Sequence, residues 1–77
     1  MKILYHNELY TYGSFYRPNM TVFKTLEEAE REFDVLIKVA LKEKGDTVKM
    51  IKTVMRGALI VSQENVKEYT RTRKGVR

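Results

Sequence analysis

The chain has 77 residues, no cysteine, and 15 lysines and arginines against 10 acidic residues, which gives a formal net charge of +5. This length allows one domain that buries only about 60% of its unfolded surface, and the lack of cysteine excludes a disulfide framework or a thiolate metal site. No apolar run approaches the roughly 20 residues needed to cross a bilayer. His6, Asn7 and Glu8 interrupt the first apolar stretch too early for a signal peptide, so we expect a cytoplasmic protein.

Aromatic and β-branched side chains dominate the first 24 residues and favour strands. The pattern predicts a hairpin of strands 2–6 and 9–13, joined by a tight turn at Asn7-Glu8. Its continuation is open. Either residues 12–16 extend the second strand, or Gly13-Ser14 breaks it into a loop.

A long helix is predicted over residues 26–44. Thr25 is a favourable N-cap, and Glu28 stands at the capping-box position three residues later. Acidic residues near the start and lysines near the end suit the helix dipole, and Gly45 offers a stop. Apolar residues recur with the spacing of one buried face: Leu26, Ala29, Phe33, Leu36, Ile37, Ala40 and Leu41.

A second hairpin is predicted after the helix. Residues 47–55 alternate as a strand does, with Val48, Met50 and Val54 on one face and Lys49, Ile51 and Thr53 on the other. Arg56-Gly57 marks the turn, and residues 58–62 form a short apolar strand suited to the centre of a sheet.

The C-terminal segment, residues 62–73, fits two structures. Ser62 is a possible cap for one or two helical turns, with Val61 and Val66 at the two staple positions, and this is the interpretation we favour. The alternative is a last strand over residues 66–73. A single domain of residues 1–69 is then followed by a basic, flexible tail of residues 70–77.

These elements predict an α+β fold. An antiparallel sheet of about four strands, in hairpin–helix–hairpin (ββαββ) order, has one long helix packed on one face and a short C-terminal helical or extended appendage. A further extended piece is expected at residues 20–24, before the helix. The arrangement leaves the other face of the sheet free for function.

Residue types that carry catalysis are scarce. His6 is the only histidine and the four glycines are scattered, so we predict no nucleophile–base pair, zinc site or phosphate loop, and we expect no cofactor and no enzymatic activity. The acids of residues 27–34 point about 100° apart along the helix and do not converge on one ion. A small ribonuclease that uses His6 or Tyr69 with Arg71 is the catalytic alternative.

The charges are distributed unevenly along the chain. The net charge is −4 over residues 27–34, +3 over residues 42–56 and +4 over residues 66–77. Such segregation steers a protein onto phosphates, so we predict a non-catalytic module that contacts nucleic acid through the second hairpin and the tail. The predicted contacts are Lys49, Lys52, Arg56, Tyr69, Arg71, Arg73 and Lys74, with Tyr69 stacking on a base.

Val35 and Val39 give an alternative hypothesis, that of a protein-interaction module. Both valines fall on the charged outer face of the predicted helix, one turn apart, where they would form a partner interface or a homodimer seam. Such a module would be a small inhibitor or adaptor, of the kind found among bacterial and phage accessory proteins, docking through the outer helix face or an open sheet edge. No membrane or small-molecule partner is expected, and no motif in the chain identifies a family.

Overall fold

The computed structural model describes residues 1–11, 14–16, 21–42 and 45–70. The elements in chain order are β1 (Lys2–Thr11), β2 (Ser14–Tyr16), β3 (Val22–Phe23), α1 (Leu26–Lys42), β4 (Thr47–Arg56) and β5 (Leu59–Thr70). All paired strands are antiparallel, in the order β2-β1-β4-β5, and β3 also pairs with β1. One helix packs on one face of this sheet, so the predicted α+β fold class is confirmed.

β1 is one continuous strand of 10 residues, and the predicted turn at Asn7-Glu8 is wrong. The Nδ2 atom of Asn7 donates to the Ala29 carbonyl at 3.0 Å and to the Glu32 carboxylate at 2.9 Å, so this turn-forming residue is fixed by the helix. β4 also pairs with β1 from Lys2 to Tyr10. Partners distant in the chain therefore outweigh the local turn preference of asparagine.

The connection from β1 to the helix is described in part. β2 begins at Ser14 and β3 lies within the predicted extended piece of residues 20–24. β2 pairs antiparallel with the end of β1, Thr11 with Ser14, so the alternative in which residues 12–16 extend the preceding strand is wrong. Residues 12–13 and 17–20 lie outside the described residues.

α1 begins at Leu26, as the capping signals predict. The Thr25 hydroxyl donates to the Glu28 carboxylate at 3.0 Å and accepts the Glu28 amide proton at 3.3 Å. The Gly45 amide donates to the Ala40 carbonyl at 2.7 Å, which satisfies a carbonyl near the end of the helix. The predicted last residues, 43–44, lie outside the described residues.

The core lies between α1 and the base of the sheet. Its fully buried members are Leu9, Ala29, Phe33, Ala40, Val48 and Met50. Leu36 and Ile37 are half-buried against this core, whereas Leu26 and Leu41, also predicted to be buried, are exposed. The sheet supports the middle of the helix and leaves these two end positions at the surface. No helix in the described ranges has the length and apolar character required to cross a membrane.

β5 is a strand of 12 residues from Leu59 to Thr70, so the favoured helical turns after Ser62 are wrong. The alternative of a final strand describes residues 66–70, and residues 71–73 lie outside the described part. β5 stands at one end of the strand order, so the predicted central position of residues 58–62 is wrong as well. Residues Thr47 to Arg56 of β4 pair with β5. This long antiparallel ladder stabilises the strand more than one or two isolated helical turns would stabilise a helix, because a short helix is costly to nucleate.

Candidate interaction site on the second hairpin

The β4–β5 hairpin is longer than the helix that packs on it. β5 spans about 40 Å at 3.3 Å per residue, while the 17 residues of α1 span about 25 Å. At the base of the hairpin, Val48 and Met50 are fully buried under the helix. The other half, residues 52–64 around the turn at Gly57, is called here the distal hairpin.

Large apolar side chains are exposed on the distal hairpin. Leu59, Ile60 and Val61 are 71%, 57% and 54% exposed, and Ile3 on the neighbouring β1 is exposed as well. Ile3 pairs with Val54 and Leu59 pairs with Arg56, which puts both on the helix side of the sheet, whereas Ile60 pairs with Met55 and points to the opposite face. The distal hairpin therefore exposes large apolar side chains on both faces of the sheet, and such side chains are candidates for an interaction surface.

The outer edge of β5 is the second feature of this site. Among the described residues, β5 is paired on one side only, with β4. The register skips Val61 and Val66, which indicates two bulges, and residues 62–65 between them pair one to one with β4. Residues 59–63 read LIVSQ and carry no charge, although edge strands are commonly protected by charged side chains. Residues 62–65, which two bulges flank, are therefore the part of the β5 edge on which another strand can pair in regular register.

Sequence reasoning did not locate this site at β5. The available signal was the uncharged apolar run of residues 58–62, which is equally typical of a central strand. Its position at the edge is a property of the strand order.

Lys49 and Lys52, two predicted nucleic-acid contacts, lie on opposite faces of the sheet, because they are three residues apart on one strand. The register partners of Lys49 are Glu8 on β1 and Glu68 on β5, and its Nζ atom lies 5.1 Å from the centroid of the Tyr10 ring. Lys52 has Glu64 as its partner on β5. Each lysine thus has an acidic neighbour.

Of the remaining predicted contacts, the structure describes Arg56 and Tyr69, which lie at opposite ends of the hairpin. Arg56 is exposed beside the turn, whereas Thr70, from which the tail continues, is at the other end of β5, about 40 Å away. Tyr69 is half-buried and packs against the core on the helix side, where it pairs with Val48. Arg71, Arg73 and Lys74 lie outside the described residues.

His6, Glu8 and Tyr10 form a hydrogen-bonded cluster on the helix-free face. The Glu8 carboxylate is 3.0 Å from His6 Nε2 and accepts the Tyr10 hydroxyl proton at 2.7 Å. Burial raises the pKa of Glu8, but the hydrogen bonds from His6 and Tyr10, together with the charges of His6 and Lys49, outweigh it and leave the pKa below its ordinary value. The hydrogen bond to Glu8 raises the pKa of Tyr10.

This cluster is better suited to holding charge than to moving protons, because a carboxylate with a lowered pKa is a weak general base. His6 pairs with Ile51 and Tyr69 pairs with Val48, so the two candidate ribonuclease residues lie on opposite faces of the sheet. Within the described part of the chain, no three His, Asp or Glu side chains are grouped as a metal site.

Val35 and Val39, the predicted partner interface, differ in exposure. Val35 is 56% exposed. Val39 is half-buried and packs against the core. A shallow groove on the helix surface is lined by both valines with Leu41 and by Lys38 and Lys42. Val35 is therefore the member of the pair that is presented on the outer helix face.

Comparison of the chain with protein-family models, with curated proteins and with solved structures gave no match.

Proposed function

We propose that this protein is a protein-interaction module that binds its partner by strand addition at the outer edge of β5. The observation that carries the proposal is the combination of a 12-residue edge strand with exposed Leu59, Ile60 and Val61. In strand addition, main-chain hydrogen bonds supply affinity and alternate side chains of the added strand supply specificity. An extended segment with apolar residues at alternate positions fits such an edge.

The test starts from peptides selected by display on the immobilised protein, without any assumed partner. Selected peptides are then synthesised with N-methyl groups at successive single positions, and their dissociation constants are measured. Strand addition uses the amide of every second residue of the added strand. We therefore expect binding to be lost on N-methylation at alternate positions and kept at the positions between them.

Two variants locate the binding site. Val61→Lys places a charge on the β5 edge and should weaken peptide binding by at least about tenfold, since one apolar contact of this size contributes roughly 1.5 kcal/mol. Val35→Lys is the matched control, since Val35 is equally exposed but lies on the outer face of α1. Peptides that are indifferent to N-methylation, or that are lost with Val35→Lys and kept with Val61→Lys, would contradict the proposal and favour the helix face.

Nucleic-acid contact is a second candidate, favoured by the net charge of +4 in residues 66–77. Since Lys49 stands between Glu8 and Glu68, we expect Lys49→Ala to leave binding unchanged. Deletion of residues 71–77 should weaken binding and reduce its salt dependence. Titration of labelled single-stranded DNA and RNA at two salt concentrations tests this candidate, and an affinity independent of salt would exclude it.

A further inference from the structure

We infer that the strand added at β5 is β5 of a second copy of this chain, paired antiparallel about a twofold axis perpendicular to the sheet. This inference rests on the proposed strand addition and names its partner. A twofold interface of this kind uses the same surface patch on both copies, so β5 must be complementary to itself. The charges and the apolar residues of the described chain supply that complementarity.

The charges in the middle of β5 favour an antiparallel second copy. Glu64 pairs with Lys52 and Lys67 pairs with Met50. Lys52 and Met50 are two residues apart on β4, so Glu64 and Lys67 share the helix-side face. An antiparallel copy brings Glu64 opposite Lys67 of the partner, and the symmetry repeats this contact. A parallel copy would set each charge beside its own equivalent and repel.

The exposed residues at the two ends of β5 also complement each other. In the antiparallel arrangement, the distal hairpin of one copy lies beside the base of the other copy's hairpin, where α1 covers the sheet. Leu59 pairs with Arg56, which is four residues from Lys52 and therefore points to the helix side. The partner's helix is on the same side of the extended sheet. Leu59 thus faces the flank of that helix.

The flank of α1 that overhangs β5 presents an exposed leucine. The Lys67 ammonium lies 3.9 Å from the Glu30 carboxylate and 4.9 Å from the centroid of the Phe33 ring, which places this side of the helix over β5. Leu41 follows Glu30 by about three helical turns and so lies on the same side. It is 49% exposed. Pairing of β5 with a second β5 covers Leu41 with Leu59 of the partner, twice in each dimer.

Sedimentation velocity between about 5 and 500 μM, a range in which a dimer with a dissociation constant of tens of micromolar dissociates measurably, tests the inference. We expect a concentration-dependent dimer, and we expect Leu41→Lys and Leu59→Lys each to raise its dissociation constant at least about tenfold. Val35→Lys is the control and should leave the dimer unchanged. Far-ultraviolet circular dichroism of each variant shows that the monomer is still folded.

The orientation of the two copies is tested with spin labels. The chain has no native cysteine, so Ala58→Cys carries a single label in the hairpin turn. With Glu64 opposite Lys67, the two turns lie about 50 Å apart at 3.3 Å per residue. A distance under about 20 Å indicates contact between the two hairpin turns and overturns the antiparallel arrangement.

The two proposals fail in different ways. A wild-type protein that stays monomeric up to the highest concentration overturns self-pairing, while peptide binding at the β5 edge still supports strand addition. A dimer that is lost with Val35→Lys and kept with Leu41→Lys overturns self-pairing in favour of the outer helix face. Peptides insensitive to N-methylation count against strand addition itself.

Discussion

Replacing Asn7 by aspartate should convert a buried hydrogen bond into a buried charge repulsion. Asn7 is fully buried, and its Nδ2 atom donates to the Glu32 carboxylate at 2.9 Å. Its Oδ1 atom has no hydrogen-bond partner among the described residues. Asn7→Asp keeps the size of the side chain, removes the donor and places two carboxylates in contact. The expected effect is a large, pH-dependent loss of stability.

The magnitude follows from two estimates that agree. Two like charges about 4 Å apart repel by about 4 kcal/mol at an effective dielectric constant of 20. Protonating an aspartic acid of ordinary pKa 3.9 at pH 7 instead costs about 4 kcal/mol, which caps the penalty. A domain of this size has a total free energy of unfolding on the order of 4–12 kcal/mol. The variant should therefore lose between about a third and all of its free energy of unfolding at neutral pH.

Urea denaturation of the wild type and the variant between pH 4.5 and 8 gives the test. The pKa of the new aspartate is raised in the folded state, so the penalty is small near pH 4 and grows by about 1.4 kcal/mol per pH unit until the folded pKa is reached. Asn65→Asp is the matched control, because Asn65 donates to Glu68 at the same distance of 2.9 Å but is exposed. It should cost less than about 1 kcal/mol. Equal losses in the two variants, or a loss for Asn7→Asp that does not vary with pH, would refute this account.

Two further predictions concern stability. Gly45→Ala places a Cβ atom 2.6 Å from the Ala40 Cα atom and should destabilise the fold by about 1–3 kcal/mol. Gly57→Asn, at a φ of +62° with open space around it, should cost less than about 1 kcal/mol. Thermal melts that rank these two variants in the reverse order would contradict the packing argument. The pKa of Glu8 is lowered in the folded protein, so its contribution is present above the ordinary value of 4.5 and is lost as the pH falls below it. Glu8→Gln should flatten this acid limb of the stability curve, and an unchanged slope would show that the bonds from His6 and Tyr10 do not stabilise the fold.

Local signals in the sequence predict the helix well and the strand boundaries less well. The cap at Thr25 and the apolar spacing from Ala29 to Ala40 act within a few residues, and both are found in the structure. Asn7 carries an equally clear local signal for a turn, yet it lies in the middle of β1. What fixes it is the Ala29 carbonyl and the Glu32 carboxylate, which are 22 and 25 residues away in the chain. The position of Asn7 in a strand therefore depends on contacts with a helix far along the chain, and the residues next to Asn7 in the sequence do not reveal those contacts.

The same limit applies to function, because charge that is segregated along the chain is not segregated in space. In a helix, a run of acids stays on one element, and residues 27–34 do so. In a sheet, successive residues point to opposite faces and each is set beside residues of two other strands. Lys49 is thus the cross-strand partner of Glu8, 41 positions earlier in the chain, and of Glu68, which belongs to the basic C-terminal segment itself. The net charge of the second hairpin therefore overstates the positive surface it presents. Within the described chain, no strand pairs with residues 59–63 on the outer side of β5. The edge of β5, rather than the lysines of β4, is therefore the surface on which binding should be sought first.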